Sequence, residues 1–370
     1  MCLKQNGTLL ENRMDYTKLK ERVLALDDIS LEEAMFLYRE IPSSELLYLG
    51  DRVRFIHNPK KEVSWQIDRN VNYTNVCVSG CKFCTFHCRP DEAKEKGFLL
   101  EIDEYRPKIK ELLAHGGNQL LLQGGLHPHL KIEYFENLLT ELRKIEPSLR
   151  FNAFGPPEIA HIARISKIST KETLQRLIKA GLTTFPGAGA EILDDMVRKN
   201  LSPAKPSAAE WVRVMKEAQA LGLSTTATMV YGTIESDEQR LNHIFTIKKI
   251  QEDCPAGLPG FKAFILWPMQ TPVKKKSTDV LSYLRNIAIS RIILNNVPHI
   301  QASWLTVGPT AGQLALHCGA DDMGSIMIEE NVVSSANTRN TLDERGMVEK
   351  ISEAGFIPWL RDQEYNRIRG

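Results

Sequence analysis

Three cysteines crowd into eight residues and give the chain its most specific chemical feature. They are Cys77, Cys81 and Cys84, in the spacing CxxxCxxC. Three thiolates on one short loop can hold three irons of a cubane, and the fourth iron then stays open for a bidentate ligand. The spacing therefore predicts a [4Fe-4S] cluster on these residues, with Phe83 as an apolar neighbour of the last ligand.

The alternatives for this loop are a zinc site, a disulfide framework or a set of buried thiols. Zinc usually takes its ligands from two separated pairs, and no second CxxC or HxxxH follows later in the chain. Clustered cysteines in a large cytosolic chain indicate metal or redox chemistry rather than disulfides. Cys88 lies just beyond the motif and would close the open iron as a fourth ligand, so we expect a buried or half-exposed free thiol there instead.

The composition is that of an ordinary globular protein. Hydrophobic residues make up 42% and charged residues 25%, without an 18-residue apolar run. Since 47 Lys and Arg balance 46 Asp and Glu, no net field would draw the chain to nucleic acid or to an acidic membrane. Residues 1–12 lack the apolar segment of a secretory signal. We therefore expect a cytoplasmic protein that acts on a small molecule, without nucleic-acid or membrane partners.

Alternating strand and helix signals predict the elements that position the cysteines. Strand candidates cover residues 70–76, 119–123, 150–154, 182–185, 224–231, 261–267 and 300–305, with a final turn around 314–318. Helical spacing of apolar residues marks 105–115, 131–145, 171–180, 208–221, 237–253 and 280–295. About eight alternating units predict an α/β fold, a (β/α)8 TIM-type barrel.

A short helical extension is predicted before the barrel. Ser30 and Glu33 match the capping-box pattern of a helix start. We expect residues 1–60 to form this N-terminal extension and helical segment, and residues 61–370 to form the barrel with C-terminal elements.

Polar residues follow nearly every predicted strand. Active sites of such barrels are built from the loops after the strands, so these residues are expected to share one site. They are Thr74, Asn75, Gln123, His127, Glu158, Glu191, Thr228, Tyr231, Glu235, Trp267, Gln270, Gln301, Ser303, Trp304 and residues 329–331.

Several longer phrases resemble one family of enzymes. They are DRNVNYTNVC (68–77), QGGLHP (123–128), GAEILD (189–194), ATMVYG (227–232), FILWP (264–268), QASW (301–304) and MGSIMIEEN (323–331). Together they resemble the dehypoxanthine futalosine cyclases, radical S-adenosylmethionine (SAM) enzymes of the futalosine route to menaquinone. Asn-Tyr-Thr-Asn at 72–75 favours this branch over the related aminofutalosine synthases and deazaflavin-forming enzymes. His87-Cys88 and Asp321 depart from the family pattern.

The resemblance implies reductive cleavage of SAM to methionine and 5'-deoxyadenosine. The deoxyadenosyl radical would abstract hydrogen from the sugar C4' of dehypoxanthine futalosine. The carbon radical would attack the benzoate ring, form a C–C bond and, after loss of an electron and a proton, give cyclic dehypoxanthinyl futalosine. A low-potential electron donor such as flavodoxin or ferredoxin is implied as a partner.

Two other classes of function stay open. The first is an aminofutalosine synthase or related radical SAM enzyme, which would add a radical to an enolpyruvyl or aromatic substrate. The second is a non-enzymatic iron-sulfur or zinc protein.

Roles in SAM binding also follow from the resemblance. Gln123, Gly124 and Gly125 are expected along the methionine amino group, and Glu158 is assigned to the same cofactor. Glu191 would hold the SAM ribose. Arg198 would pair with the methionine carboxylate in a fork geometry, or else be a surface helix charge.

Roles toward the adenine and the substrate complete the predicted site. Tyr231 or Phe83 would stack on the adenine. His127 is the candidate proton acceptor, so that the predicted catalytic residues are His127, Glu191 and Tyr231. The side chains expected to bind the substrate are Thr228, Gln301, Ser303 and Glu330.

Overall fold

Strands and helices alternate through most of the chain in a computed structural model, which describes residues 14–270, 279–329, 331 and 340–369. The strands in these residues are β1 (Glu62–Gln66), β2 (Asp68–Asn72), β3 (Gln119–Gln123), β4 (Arg150–Ala153), β5 (Leu182–Phe185), β6 (Ser224–Tyr231), β7 (Phe261–Pro268), β8 (His299–Gln301), β9 (Asp322–Ser325), β10 (Ile357–Arg361) and β11 (Arg367–Arg369). The helices are α1 (Tyr16–Leu24), α2 (Leu31–Arg39), α3 (Ser43–His57), α4 (Ala93–Lys96), α5 (Ile102–Ala114), α6 (Ile132–Ile145), α7 (Pro156–Ser166), α8 (Thr170–Ala180), α9 (Asp195–Leu201), α10 (Ala208–Ala220), α11 (Asp237–Glu252), α12 (Val280–Ile293), α13 (Trp304–Val307), α14 (Pro309–Ala315) and α15 (Glu344–Glu353).

The strands form one sheet in the order β11-β10-β1-β9-β8-β7-β6-β5-β4-β3-β2. Neighbours from β2 to β9 pair in parallel, whereas β10 and β11 pair antiparallel. A parallel bridge joins Arg69 in β2 to Ile328, just after β9, and the Asn70 N–H donates to the Ile328 carbonyl at 3.1 Å. This contact brings the two ends of the run of eight strands together, so the predicted TIM-type α/β barrel is confirmed.

The helices cover the barrel with apolar faces. In α6, Ile132, Phe135, Leu139 and Leu142 are buried at helical spacing. Burying each such side chain stabilises the fold by about 2 kcal/mol. Among the described helices, none has the length and apolar character needed to cross a membrane.

The first three helices precede β1, and α3 packs on α12. A Cβ on Gly50 would lie 2.8 Å from the Ala288 Cα, so only glycine permits this close contact. The predicted capping box at the start of α2 is present, with the Ser30 side chain accepting from the Glu33 N–H and the Glu33 side chain accepting from the Ser30 N–H. The division of the chain at residue 60 stays a prediction.

Two of the predicted strands extend well beyond the observed ones. The strand predicted over 300–305 is His299–Gln301, and residues Trp304–Val307 are helical. The first barrel strand ends at Asn72 instead of residue 76, because the Tyr73 carbonyl accepts from the Leu100 N–H outside the sheet. The final turn predicted around 314–318 is present over 316–319, but it is not the eighth strand of the barrel. Residues Pro309–Ala315 are helical, and the eighth barrel strand is Asp322–Ser325, whose buried Asp322 is paired with Arg361.

Candidate active site

A cavity of about 440 Å³ runs along the inside of the barrel, a volume typical of small-molecule sites. The loop after β2 forms one end, with Cys77, Cys81 and Cys84 in the wall. The turn after β10 forms the other end. There Gln363 lines the cavity and accepts a 3.1 Å hydrogen bond from Gln119, at the start of β3. The cavity therefore extends from the cysteine loop to the opposite end of the barrel.

Most of the predicted site residues lie in the wall of this cavity. Besides the cysteines they are Phe83, Gln123, Gly124, Gly125, Glu158, Glu191, Thr228 and Gln301. They share positions at or just after the carboxyl ends of the strands, where a barrel gathers its functional side chains.

Hydrogen-bond donors surround the thiols of the cysteine loop. The Ser79 N–H donates to Cys77 Sγ at 3.4 Å, and the Ser79 hydroxyl lies 2.9 Å from Cys81 Sγ. Burial raises the pKa of the Cys77 and Cys84 thiols, and backbone N–H groups, including that of Phe86 toward Cys84, act in the opposite direction. Such donors favour the thiolate, which is the form that binds iron.

The arrangement of the thiols suits a cluster better than a single ion. Among the described residues, no three His, Cys, Asp or Glu side chains converge closely enough to hold one metal ion. A cubane cluster does not need three ligands converging on one point, because each of its three thiolates binds a separate iron. The three thiols in one cavity wall, with their N–H donors, fit that arrangement.

Cys88 is a buried thiol outside this wall, as predicted. Its thiol donates to the Arg89 carbonyl at 3.4 Å. Its backbone accepts from the Cys77 N–H at 2.9 Å and donates to the Asn75 carbonyl at 2.8 Å. These bonds fasten the end of the cysteine loop to its beginning.

The glycine pair after β3 packs directly against the strand that leads to the cysteines. The Gly125 N–H donates to the Thr74 carbonyl at 2.9 Å, and a Cβ on Gly125 would lie 2.2 Å from the Val76 carbonyl oxygen. The Gly124 N–H donates to Glu158 Oε1 at 3.2 Å. The predicted SAM-binding segment is thereby held against the cysteine loop.

Glu191 lies beside Lys205, a residue that was not among the predicted site residues. Lys205 Nζ donates to Glu191 Oε1 at 2.6 Å and lies 5.5 Å from the centre of the Phe83 ring. Glu191 Oε2 is buried and has no hydrogen-bond partner among the described residues. The nearest cation to this oxygen after Lys205 is Arg198, whose Nη1 lies 3.7 Å away, too far for a hydrogen bond. The oxygen is therefore still able to accept a hydrogen bond from a hydroxyl of a bound ligand.

The lysine is charged, and the glutamate is held in an unusual conformation. Burial alone would lower the pKa of Lys205, but the Glu191 carboxylate raises it above its ordinary value. Glu191 has a φ of 39°, which non-glycine residues adopt at a cost and mostly where function requires it. The pair places a fixed carboxylate and a fixed ammonium group next to the thiols.

Arg198 does not lie where it was predicted. Its guanidinium donates to the backbone carbonyls of Gly189, Ala190 and Pro206 at 2.6 to 3.3 Å. It is buried, and the cavity wall formed by the described residues does not include it. Arg198 is therefore neither a surface charge nor a cavity residue, because its donors hold the loop that carries Glu191.

Tyr231 and Ser303 also lie outside the cavity wall. Inward positions of β6 are taken by Thr228 and Val230, so Tyr231 faces outward, and Arg240 lies 4.9 Å from its ring centre. The buried Ser303 hydroxyl donates to the Leu266 carbonyl. Both side chains support the wall from behind.

His127 is turned to its own loop, and one predicted residue cannot be placed. His127 Nδ1 accepts from the His129 N–H at 3.2 Å, and burial lowers the pKa of His127. It is not part of the cavity wall formed by the described residues. Glu330 lies outside the described residues.

Polar residues inside the barrel form the largest part of the site that was not predicted. Gln66, Asp68, Asn70 and Asn72 line the cavity at every second position along β1 and β2. Ile67 and Val71 between them are also buried but face outward. This alternation was readable from the sequence, because alternate positions of a strand face opposite sides. Other inward polar side chains are Asn152, Thr226 and Ser325.

Glu158 makes the stability of the protein depend on pH. Burial raises its pKa to about 8, although the Tyr73 hydroxyl and the Gly124 N–H donate to it. The folded state then binds one proton more than the unfolded chain between its ordinary pKa of 4.5 and about 8. The free energy of unfolding should therefore fall as pH rises through this window.

Glu158→Gln keeps the shape of the side chain without a titrating proton. We expect it to reduce the fall in unfolding free energy across this window by on the order of 3 kcal/mol. Urea unfolding of the metal-free protein at pH 5 to about 8.5 measures the effect. Identical pH slopes for the two proteins would show that Glu158 is ionised in the folded state.

Known proteins are similar to this chain in sequence and in fold. Residues 71–247 match the family described as Radical SAM superfamily, and residues 258–369 match the CofH/MqnC C-terminal region. The chain is 40% identical over 365 residues to cyclic dehypoxanthine futalosine synthase of Streptomyces coelicolor, covering 97% of this chain and 90% of that protein. It is 36% identical over 346 residues to 5-amino-6-(D-ribitylamino)uracil--L-tyrosine 4-hydroxyphenyl transferase 1 of Methanosarcina mazei, covering 90% and 89%.

The crystal structure of methylornithine synthase has a similar fold. Its TM-score is 0.69 at 16% identity, over 92% of this chain and 97% of that one. At this identity the likeness concerns the fold alone. The identity to the Streptomyces enzyme over nearly the full chain goes further. Together with the matched families, it shows that the chain belongs to the radical SAM superfamily and, within it, to the CofH/MqnC family that includes cyclic dehypoxanthine futalosine synthase.

Proposed function

We propose that this radical SAM enzyme converts dehypoxanthine futalosine to cyclic dehypoxanthinyl futalosine in menaquinone biosynthesis. Radical SAM enzymes use a [4Fe-4S] cluster and SAM. The observation that carries the proposal is one cavity that joins the cysteine loop to a polar barrel interior. SAM and a hydroxylated substrate can therefore meet inside the barrel. The identity to the Streptomyces enzyme of that name supports the choice of substrate.

Cys77, Cys81 and Cys84 would hold the cluster, which supplies one electron to SAM when it is reduced. The unpaired Glu191 Oε2 would accept from the SAM ribose. Lys205, fixed by Glu191, would face the negative charge of the thiolates and of the methionine carboxylate. Gly124 and Gly125 would lie along the methionine amino group.

In the proposed reaction, one electron from the reduced cluster would break the SAM carbon-sulfur bond and release methionine. The resulting deoxyadenosyl radical would take a hydrogen atom from the sugar C4', and the carbon radical so formed would bond to the benzoate ring. Loss of one proton to a base of the cavity wall and of one electron to the oxidised cluster would restore the aromatic ring. The barrel wall would exclude water and hold the sugar carbon against the ring.

A carboxyl group of the cavity wall other than Glu158 is the candidate to receive that proton, because Glu158 keeps its own proton up to about pH 8. Asp68 lines the cavity and is buried. His127, which the sequence suggested for this role, is turned to its own loop. We further propose a small low-potential electron-transfer protein, such as flavodoxin or ferredoxin, as the electron donor, and the cytoplasm as the location.

Transfer of deuterium tests the proposed reaction. Reduced protein is incubated without oxygen with SAM and with dehypoxanthine futalosine that carries deuterium at C4'. We expect one deuterium in the 5'-deoxyadenosine, detected by mass spectrometry, together with the cyclic product. Unlabelled 5'-deoxyadenosine beside the cyclic product would contradict abstraction at C4'.

The same assay separates the cyclase from its relatives. An aminofutalosine synthase would join the adenosyl group to an enolpyruvyl ether, so its product would contain adenine. The Methanosarcina relative is named for a transfer onto a ribitylamino uracil. An adenine-containing adduct, or turnover of that uracil with tyrosine but not of dehypoxanthine futalosine, would overturn the proposed function.

A further inference from the structure

We infer that the turn between β10 and β11 is part of the substrate site, and that the Tyr365 hydroxyl binds a neutral, hydroxyl-bearing part of the substrate. The inference rests on the proposed function for the identity of that substrate. It assigns a binding role to the C-terminal end of the chain, at the end of the cavity opposite the cysteines.

The turn crosses the end of the barrel where the strands begin. Gln363 bonds to Gln119 at the start of β3. Glu364 pairs with Arg150, the first residue of β4. The Tyr365 ring stacks on His299, the first residue of β8, with ring centres 3.9 Å apart and planes 3° from parallel. The turn is therefore anchored to three strands, the neighbouring β3 and β4 and the more distant β8, and forms the floor of the cavity.

The turn is held in a strained shape that fixes the tyrosine. Asp362 Oδ1 accepts from the N–H groups of Glu364 and Asn366, each at 2.9 Å. Tyr365 has a φ of 64°, and the Arg361 guanidinium lies 3.8 Å from its ring centre. A non-glycine residue in this conformation costs about 1 to 3 kcal/mol and persists where the surroundings impose it, often at ligand sites.

The Tyr365 hydroxyl has no hydrogen-bond partner in the part of the chain that the structure describes. Tyr365 lines the cavity, and its hydroxyl is buried. Asn70 Oδ1, in the same cavity, is also buried and unpaired in this part of the chain. One donor and one acceptor are therefore available to a ligand, and native proteins rarely leave such groups unpaired.

The charges at the floor favour a neutral ligand group over an anionic one. Arg361 is a cation there, and its Nε and Nη2 donate to Asp322 at 2.6 and 2.9 Å. Its Nη1 donates to Gln66 at 2.6 Å. Asp68 adds a carboxyl group to the wall. A carboxylate would meet a cation that is already paired, whereas sugar hydroxyls can both accept from Tyr365 and donate to Asn70.

Tyr365→Phe removes only the hydroxyl and keeps the ring stack. In the reconstituted holoenzyme we expect the KM for dehypoxanthine futalosine to rise about tenfold, as for the loss of one buried hydrogen bond. The kcat, the iron content and the SAM affinity should be unchanged. The Tm without substrate should be equal or higher, because an unpaired buried hydroxyl is lost.

Tyr105→Phe is a matched control. The Tyr105 hydroxyl is likewise buried without a partner among the described residues, but it lies outside the cavity wall. This variant should keep or raise the Tm and leave the KM unchanged.

Other results of these measurements would overturn either the role of Tyr365 or the proposed function. A KM of Tyr365→Phe within about twofold of the wild type overturns the inference alone. The same holds if iron content or SAM affinity falls together with the KM effect, since Tyr365 would then be structural. A wild-type holoenzyme that cleaves SAM but does not turn over dehypoxanthine futalosine overturns the proposed function, and with it the assignment of this substrate to the floor.

Discussion

Cys81→Ala is expected to abolish both the cluster and the reductive cleavage of SAM. The thiol lies in the cavity wall with those of Cys77 and Cys84, and each would hold a separate iron, so no neighbour replaces a lost ligand. Wild-type protein reconstituted without oxygen should contain about four irons per chain. Each of the three single alanine variants should lose most of this iron and form no 5'-deoxyadenosine.

Cys88→Ala is the control for the loss of a nearby thiol. Because the Cys88 thiol donates to a backbone carbonyl outside the cavity wall, this variant should keep the iron and the visible absorbance of the cluster. Iron that is retained in Cys84→Ala and lost in Cys88→Ala would mean that the ligand set is wrong.

Lys205→Met should produce the second largest effect, a loss of SAM affinity of about 100-fold, or about 2.7 kcal/mol. It leaves the Glu191 carboxylate buried with only the more distant Arg198, whose Nη1 is 3.7 Å from Oε2. Breaking a buried pair by removing one partner is strongly destabilising. It also removes a positive charge beside the thiolates, which should lower the reduction potential of the cluster. Equilibrium dialysis with SAM and a redox titration followed by EPR measure the two effects.

Two further variants distinguish a role of Lys205 in SAM binding from a purely structural role. Glu191→Gln should weaken SAM binding about tenfold, because one charge-assisted hydrogen bond to the ribose becomes a neutral one. Lys248→Met is the matched control, since Lys248 is a buried lysine paired with Asp28 at 2.8 Å, away from the cavity. Its SAM affinity and potential should equal those of the wild type. Unchanged SAM affinity in Lys205→Met and Glu191→Gln would make this pair purely structural.

Most of the barrel was predictable because its strands and helices carry periodic patterns. Gln119–Gln123 is an apolar run between glutamines, and β3 has those bounds. The eighth strand, Asp322–Ser325, was missed because it is short and begins with a charged residue next to Asp321. Asp321 and Asp322 are both buried. Asp321 pairs with His299 and Asp322 with Arg361. Both partners lie on other strands, so these pairs could not be read from the local sequence.

Residues of the cavity wall were predictable where they lie at the end of a strand or in the loop that follows it. Gln123 is the last residue of β3, and Glu191 lies in the loop after β5. Lys205 lies in the loop between α9 and α10, and only tertiary packing brings it to Glu191. Tyr365 was not predicted either, because only tertiary packing brings the turn between β10 and β11 to the cavity. Arg198 was placed wrongly, because spacing along the sequence does not show that a guanidinium is already used by backbone carbonyls.

The way in which the sheet closes also constrains how the chain can be made. β1 pairs on one side with β9 and on the other with β10, so Glu62 has Ile357 as its partner. Such distant pairings form late. The entropy cost of closing a long loop must be met before the new strand contacts contribute any stability. During synthesis β2 can pair early with β3 on one side. Both edges of β1 and the other edge of β2 stay unpaired, with part of the barrel interior exposed, until nearly the whole chain has left the ribosome. Exposed edges of this kind invite association with other chains. Release from the ribosome before β10 is complete should therefore yield aggregation instead of a smaller folded barrel.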